Sequence, residues 1–140
     1  MGSYEDAVRT LAVELGGVEG KTPRQMPDVL HDTFTGTVQD ARSNPPETVG
    51  SGYYALMRLD EFVPSRVVEA VVHGFDLTDT VGRDTIATPE GVALTAAILD
   101  ELLARRTVAG RPADLADDLA WVRAASGRAE HPDPRLPLIG

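Results

Sequence analysis

Within the stretch VPSRVVEAVVHGFDLTDTVG, residues 63–82, Glu69, His73 and Asp76 follow one another at about one helical turn, set among valines and other apolar residues. At 100° per residue, Arg66, Glu69, His73, Asp76 and Thr80 fall within an arc about 80° wide, so they form one narrow stripe. A charged stripe most simply faces water. This one contains no lysine, however, and Glu69 and His73 at i and i+4 lie about 6 Å apart along the axis, where both can reach a shared ion. Zinc accepts nitrogen and carboxylate ligands at about 2.0–2.2 Å, and a catalytic zinc usually takes three from the protein and keeps one position open. Glu69 and His73 are therefore candidate metal ligands. Asp76 is a candidate supporting residue that could accept the free ring N–H of His73, or of a ligand not yet identified, and fix its tautomer and orientation. Arg66 could contact an anionic substrate or thiol, or simply pair with Glu69 along the helix. The E-x-x-x-H spacing alone is a weak motif, because it arises by chance in many helices.

These residues need a helix to carry them, and the remaining sequence supplies others. Tyr4, Val8, Leu11 and Leu15 predict a short helix over 4–15, stopped by Gly16-Gly17. Val29, Leu30, Phe34, Val38 and Ala41 predict a second over 26–43, after the loop VEGKTPRQ. SNPPETVGSG is a break, and YYALMRLDEF reads as one or two helical turns, with a strand the alternative. The stripe-bearing helix is expected to start near Pro64 and run to about Gly82. Thr88-Pro89-Glu90 combines a hydroxyl cap, a proline for the first position and an acid facing the dipole, and predicts a helix ending at the Arg105-Arg106 pair. A last helix is expected over 112–126, with Gly127 as its C-cap and Trp121 as a core anchor. The tail HPDPRLPLIG is proline-rich and should be extended. No strand alternation is good enough to build a sheet, so the expected class is all-α. The expectation is one domain over 1–140, with a bundle over 3–126 and a tail over 127–140.

Composition removes several functions. Thirteen Lys and Arg against twenty-two Asp and Glu give a net charge of −9, with the basic residues scattered, which argues against a nucleic-acid footprint. There is no cysteine, so disulfides, thiolate ligands and a protein thiol nucleophile are excluded, and thiol chemistry would need an external thiol. No segment resembles a signal peptide or a membrane span, which makes the cytoplasm the default location.

The run Pro64, Arg66, Glu69, His73, Asp76, Leu77, or P-x-R-x-x-E-x-x-x-H-x-x-D-L, resembles the metal-binding helix of the mycothiol-dependent maleylpyruvate isomerase family. The resemblance continues through the Thr88-Pro89 helix and into AASGRAEHPDPRLPLIG. It implies a DinB-like up-down helical bundle that holds zinc, or another divalent metal, through a His on an early helix and a Glu/His pair on a later one. Glu69 and His73 correspond to that pair. It further implies an isomerase or transferase that uses mycothiol as cosubstrate and acts on a small electrophile such as maleylpyruvate.

The chain departs from the family pattern at its beginning, where no helix carries the first His, so it reads as N-terminally truncated. His31, in PDVLHDTF, has a similar setting but aligns with the next helix and reads as a partly exposed helix residue. His131 reads as structural or solvent-facing. A bundle short of one helix would expose an apolar groove, which favours a homo-oligomer. Two other readings stand beside the first: a non-catalytic helical oligomerisation or binding module that has lost its metal site, and a hydrolase that activates water on the metal.

Overall fold

The computed structural model describes residues 25–51 and 56–139. The expected helix over 4–15 lies outside them. The chain divides into two compact units, 1–45 and 46–140. The described fold is mostly helical.

In the first unit, α1 spans Met26–Ser43, as the apolar spacing predicts. Phe34 and Val38, two members of that stripe, are exposed. Thr37 and Ser43 donate to the carbonyls of Thr33 and Gln39 four residues back, and Asn44 to that of Asp40.

The second unit opens with an antiparallel hairpin of β1 (Val49–Ser51) and β2 (Leu56–Arg58), in register Val49 to Arg58, Gly50 to Met57 and Ser51 to Leu56. The expectation of no sheet is corrected here on a small scale. Each strand is three residues long, too short for alternation to show in the sequence. Helix α2 then runs Leu59–Thr80, so the expected start at Pro64 is also corrected. The segment leading into β1 sets the true start: Leu59 N–H donates to Thr48 O and Asp60 N–H to Pro46 O, both at 2.9 Å, which satisfies two otherwise orphaned donors of the first turn. Asp60 and Glu61 face the positive end of the dipole. Pro64 falls at the sixth position, where only one backbone bond is forfeited.

Helix α3 (Pro89–Arg106) begins as its sequence predicts: Thr88 Oγ1 accepts from Gly91 N–H at 3.1 Å and Pro89 occupies the first position. The helix expected over 112–126 is two pieces, a 3-10 turn at Ala113–Leu115 and α4 at Asp118–Ala125. Asp117 divides them by capping α4, its carboxylate accepting from Ala120 N–H at 2.9 Å.

α3 packs against both α2 and α4, and α2 also meets α4. Phe75 from α2, Leu99 and Leu103 from α3, and Trp121 and Val122 from α4 are fully or almost fully buried at their junction. Burying side chains of this size contributes about 1.5–3 kcal/mol each. Leu138 from the tail joins the same core, and the N–H groups of Leu138 and Ile139 both donate to Ala125 O. Arg111 clasps Asp100 and Asp118 while its guanidinium lies over the Trp121 ring, tying α3 to α4 at the edge of the core. Among the described residues no helix is long and apolar enough to cross a membrane.

Both α2 and α4 end in the same way. Gly82 and Gly127 take φ of 62° and 75°, a left-handed conformation that costs glycine little. Arg83 N–H then reaches back to Thr78 O at 2.9 Å, and Arg128 N–H to Arg123 O at 2.7 Å. Gly82 N–H bonds Asp79 O and Gly127 N–H bonds Ala124 O, which completes the Schellman pattern in each.

Candidate functional site

α2 buries Val71, Val72, Gly74, Phe75 and Thr78 and leaves the opposite side open. Glu69 and His73 stand on that open side, their side chains 54% and 67% exposed. The apolar residues Ala70, Leu77 and Val81 are exposed beside them, so the open face of α2 is wider than the polar stripe alone.

The stripe is internally connected. His73 Nε2 lies 3.2 Å from Glu69 Oε2, and His73 Nδ1 lies 3.1 Å from Asp76 Oδ2. The imidazole is therefore flanked by a carboxylate at each ring nitrogen, and a neutral ring can donate to only one of them. Asp76 is the more firmly held of the two. Arg128 donates to it through both Nε and Nη2, each at 2.9 Å, in the two-point geometry that strengthens a guanidinium–carboxylate pair. That pairing, helped by His73, holds the Asp76 carboxyl down at about 2, so it is ionised at any ordinary pH. Among the described residues Glu69 makes no comparable contact with an arginine.

The donor set can be tested against a zinc ion. Two ligands at about 2.0–2.2 Å from a tetrahedral centre stand about 3.4 Å apart. Nε2 of His73 and Oε2 of Glu69, at 3.2 Å, are close to that separation, so these two atoms fit as adjacent ligands of one ion. Asp76 cannot join them, because it meets the other edge of the ring; its place is the supporting one. Among the described residues no group of three or more His, Cys, Asp or Glu could hold a metal, so the fit covers two ligand positions.

Arg66 forms no ion pair with Glu69. Its guanidinium lies 5.2 Å from the Phe62 ring centroid and its Nε donates to Ser65 Oγ at 3.3 Å. Thr80, at the far end of the stripe, returns its hydroxyl to Asp76 O at 2.7 Å. His31 is exposed on α1. His131 is nearly enclosed and uses both nitrogens: Nε2 faces Asp114 Oδ2 at 3.2 Å, and Nδ1 accepts from Asp133 N–H at 3.2 Å. It acts as a structural tie for the tail. A groove between α4 and the tail, lined by Ala124, Gly127, His131, Leu136 and Pro137 among others, includes none of Glu69, His73 and Asp76.

Arg128 is the residue that spacing arguments miss, since 52 positions separate it from Asp76. The available signal was its place directly after Gly127, where a left-handed glycine turns the chain back over the preceding helix. Compared with protein-family models, with curated proteins and with solved structures, the chain matches none.

Proposed function

We propose that Glu69 and His73 are the helix-borne half of a divalent-metal site, with zinc the best chemical match, in a thiol-dependent isomerase or transferase of the mycothiol type. The observation that carries this reading is the convergence of one imidazole nitrogen and one carboxylate oxygen to 3.2 Å, with Asp76 held against the far edge of the same ring. In this reading Glu69 and His73 bind, while Asp76 orients the ring. Arg66 offers a positive charge to an anionic electrophile such as maleylpyruvate. A divalent ion, when bound, supplies the positive charge that keeps an external thiol in its nucleophilic thiolate form, and the absence of cysteine is consistent with a thiol that comes from outside. The thiol and substrate classes rest on the motif P-x-R-x-x-E-x-x-x-H-x-x-D-L.

A second reading has an observation of its own. The exposure of the pair and the lack of a third donor among the described residues favour a non-catalytic helical module in which the stripe is a solvent-facing ladder of ion pairs.

Equilibrium dialysis against zinc, followed by metal analysis, separates the two. The metal reading expects weak, substoichiometric zinc that is lost in Glu69→Ala and in His73→Ala and kept in Arg66→Ala. Wild-type zinc content in both of the first two variants would refute the assignment. A maleylpyruvate assay run with and without mycothiol then tests the chemistry; a rate indifferent to the thiol argues for the module.

A further inference from the structure

Two guanidinium groups from α4 and its C-terminal turn reach the same helix α2. Arg123 donates to both oxygens of Asp79, at 2.6 and 2.7 Å, and lies 4.8 Å from the Phe75 ring centroid. Arg128 donates to both oxygens of Asp76. As cross-links the two pairs are alike, each joining an arginine late in the chain to a carboxylate near the end of α2. They differ in what the carboxylate does next, because Asp76 Oδ2 also meets His73 Nδ1.

We propose that Arg128 is a positioning residue for His73, which it controls through Asp76. The inference rests on the reading of Glu69 and His73 as metal ligands. The guanidinium is held independently of the site it serves: Nη1 donates to Ser126 O at 2.6 Å, and the Arg128 N–H is locked into the left-handed turn at Gly127. The arginine side chain is 22% exposed and Asp76 44%, so the anchored partner is the better shielded one. With both oxygens captured, the carboxylate cannot rotate away from the imidazole, and it accepts the proton of Nδ1. That choice of tautomer leaves the Nε2 lone pair directed at the space shared with Glu69 Oε2, as a metal ligand requires. Without Arg128, an exposed aspartate would be free to take other rotamers, and Glu69 would compete for the ring proton from the Nε2 side.

The test is the tautomer of His73 in metal-free protein, read from its ring ¹⁵N shifts in a long-range ¹H–¹⁵N spectrum above the pH at which imidazoles are charged. His73→Gln supplies the assignment. In the wild type, His73 is expected as the Nδ1–H form. Arg128→Met is expected to move it to a mixture or to the Nε2–H form, and Arg128→Lys, a point charge that cannot span both oxygens, to leave it in between. Arg123→Met removes the sister cross-link and should lower stability without moving the His73 shifts. Asp76→Asn, made with Arg128 intact, should reproduce the tautomer change, which keeps the test decisive if Arg128→Met does not fold. Zinc affinity, where the wild type binds zinc, should fall by about tenfold in Arg128→Met, the lower end of what loss of a ligand's supporting partner costs.

An unchanged tautomer in Arg128→Met, an equal change in Arg123→Met, or a wild-type His73 already protonated at Nε2 would overturn the proposal. A wild-type protein that binds no zinc would refute the metal reading alone, and the tautomer comparison would still decide the role of Arg128.

Discussion

Replacing Gly127 with alanine tests the turn that delivers Arg128 to α2. The added Cβ would meet only Pro137, at 3.6 and 3.7 Å, which is ordinary contact, so neither a clash nor a cavity enters the balance. What remains is conformational. Holding an L-residue at a φ of 75° costs about 1–2 kcal/mol. The less flexible unfolded chain returns about 0.4–1 kcal/mol of that. A net loss of about 1 kcal/mol is expected, or about 4–8 °C in Tm for a unit of this size, measured by thermal unfolding followed by circular dichroism. Asparagine tolerates left-handed backbone better than alanine, so Gly127→Asn should lose less. Gly82 has nothing within 4 Å of an added Cβ, and Gly82→Ala should carry a similar conformational cost at the end of α2. If Gly127→Ala is as stable as the wild type, or if asparagine is worse than alanine, the left-handed cap does not set this helix end and the reasoning fails.

Two further outcomes follow from other contacts. Arg111→Met, which strips Asp100 and Asp118 of their shared partner beside Trp121, should cost about 1.5–3 kcal/mol in urea unfolding, and Arg111→Lys should recover little, because an ammonium cannot reproduce the fork. Asp133, held down at about 2 chiefly by the Arg135 side chain, contributes stability that is complete above the unfolded carboxylate range and is lost as the pH falls toward 2. Its carboxyl ¹³C titration should therefore shift upward, toward about 3.9, in Arg135→Met, and an unmoved midpoint would refute the pairing.

The parts of this molecule that were legible in the sequence are those governed by neighbours in the chain. Thr88-Pro89-Glu90 specifies its helix start through a cap, a fixed φ and a dipole contact within four residues. Gly127 likewise marks the end of its helix. The spacing of Glu69, His73 and Asp76 was enough to put all three on one face, and of the two partners it allowed Asp76 the structure shows the His73 ring. Pro64 misled for an instructive reason: proline favours a first turn, but here the carbonyls of Pro46 and Thr48, just before β1, already satisfy the donors at Leu59 and Asp60, so the helix starts a turn and a half earlier. The partners in the Asp79–Arg123 and Asp76–Arg128 pairs could not be read from periodicity, which connects nothing 44 or 52 positions apart; the glycine before Arg128 marked only that the chain turns back there. Arg66 shows the converse, an i, i+3 spacing to Glu69 whose ion pair is displaced by stacking on Phe62.

The burial of Trp121 gives the protein a built-in optical gauge. It is the single tryptophan in the chain, it is fully enclosed, and it sits where α3, α4 and the Arg111 clasp meet. Its emission should be blue-shifted in the native protein and move to the red only when that junction opens to solvent.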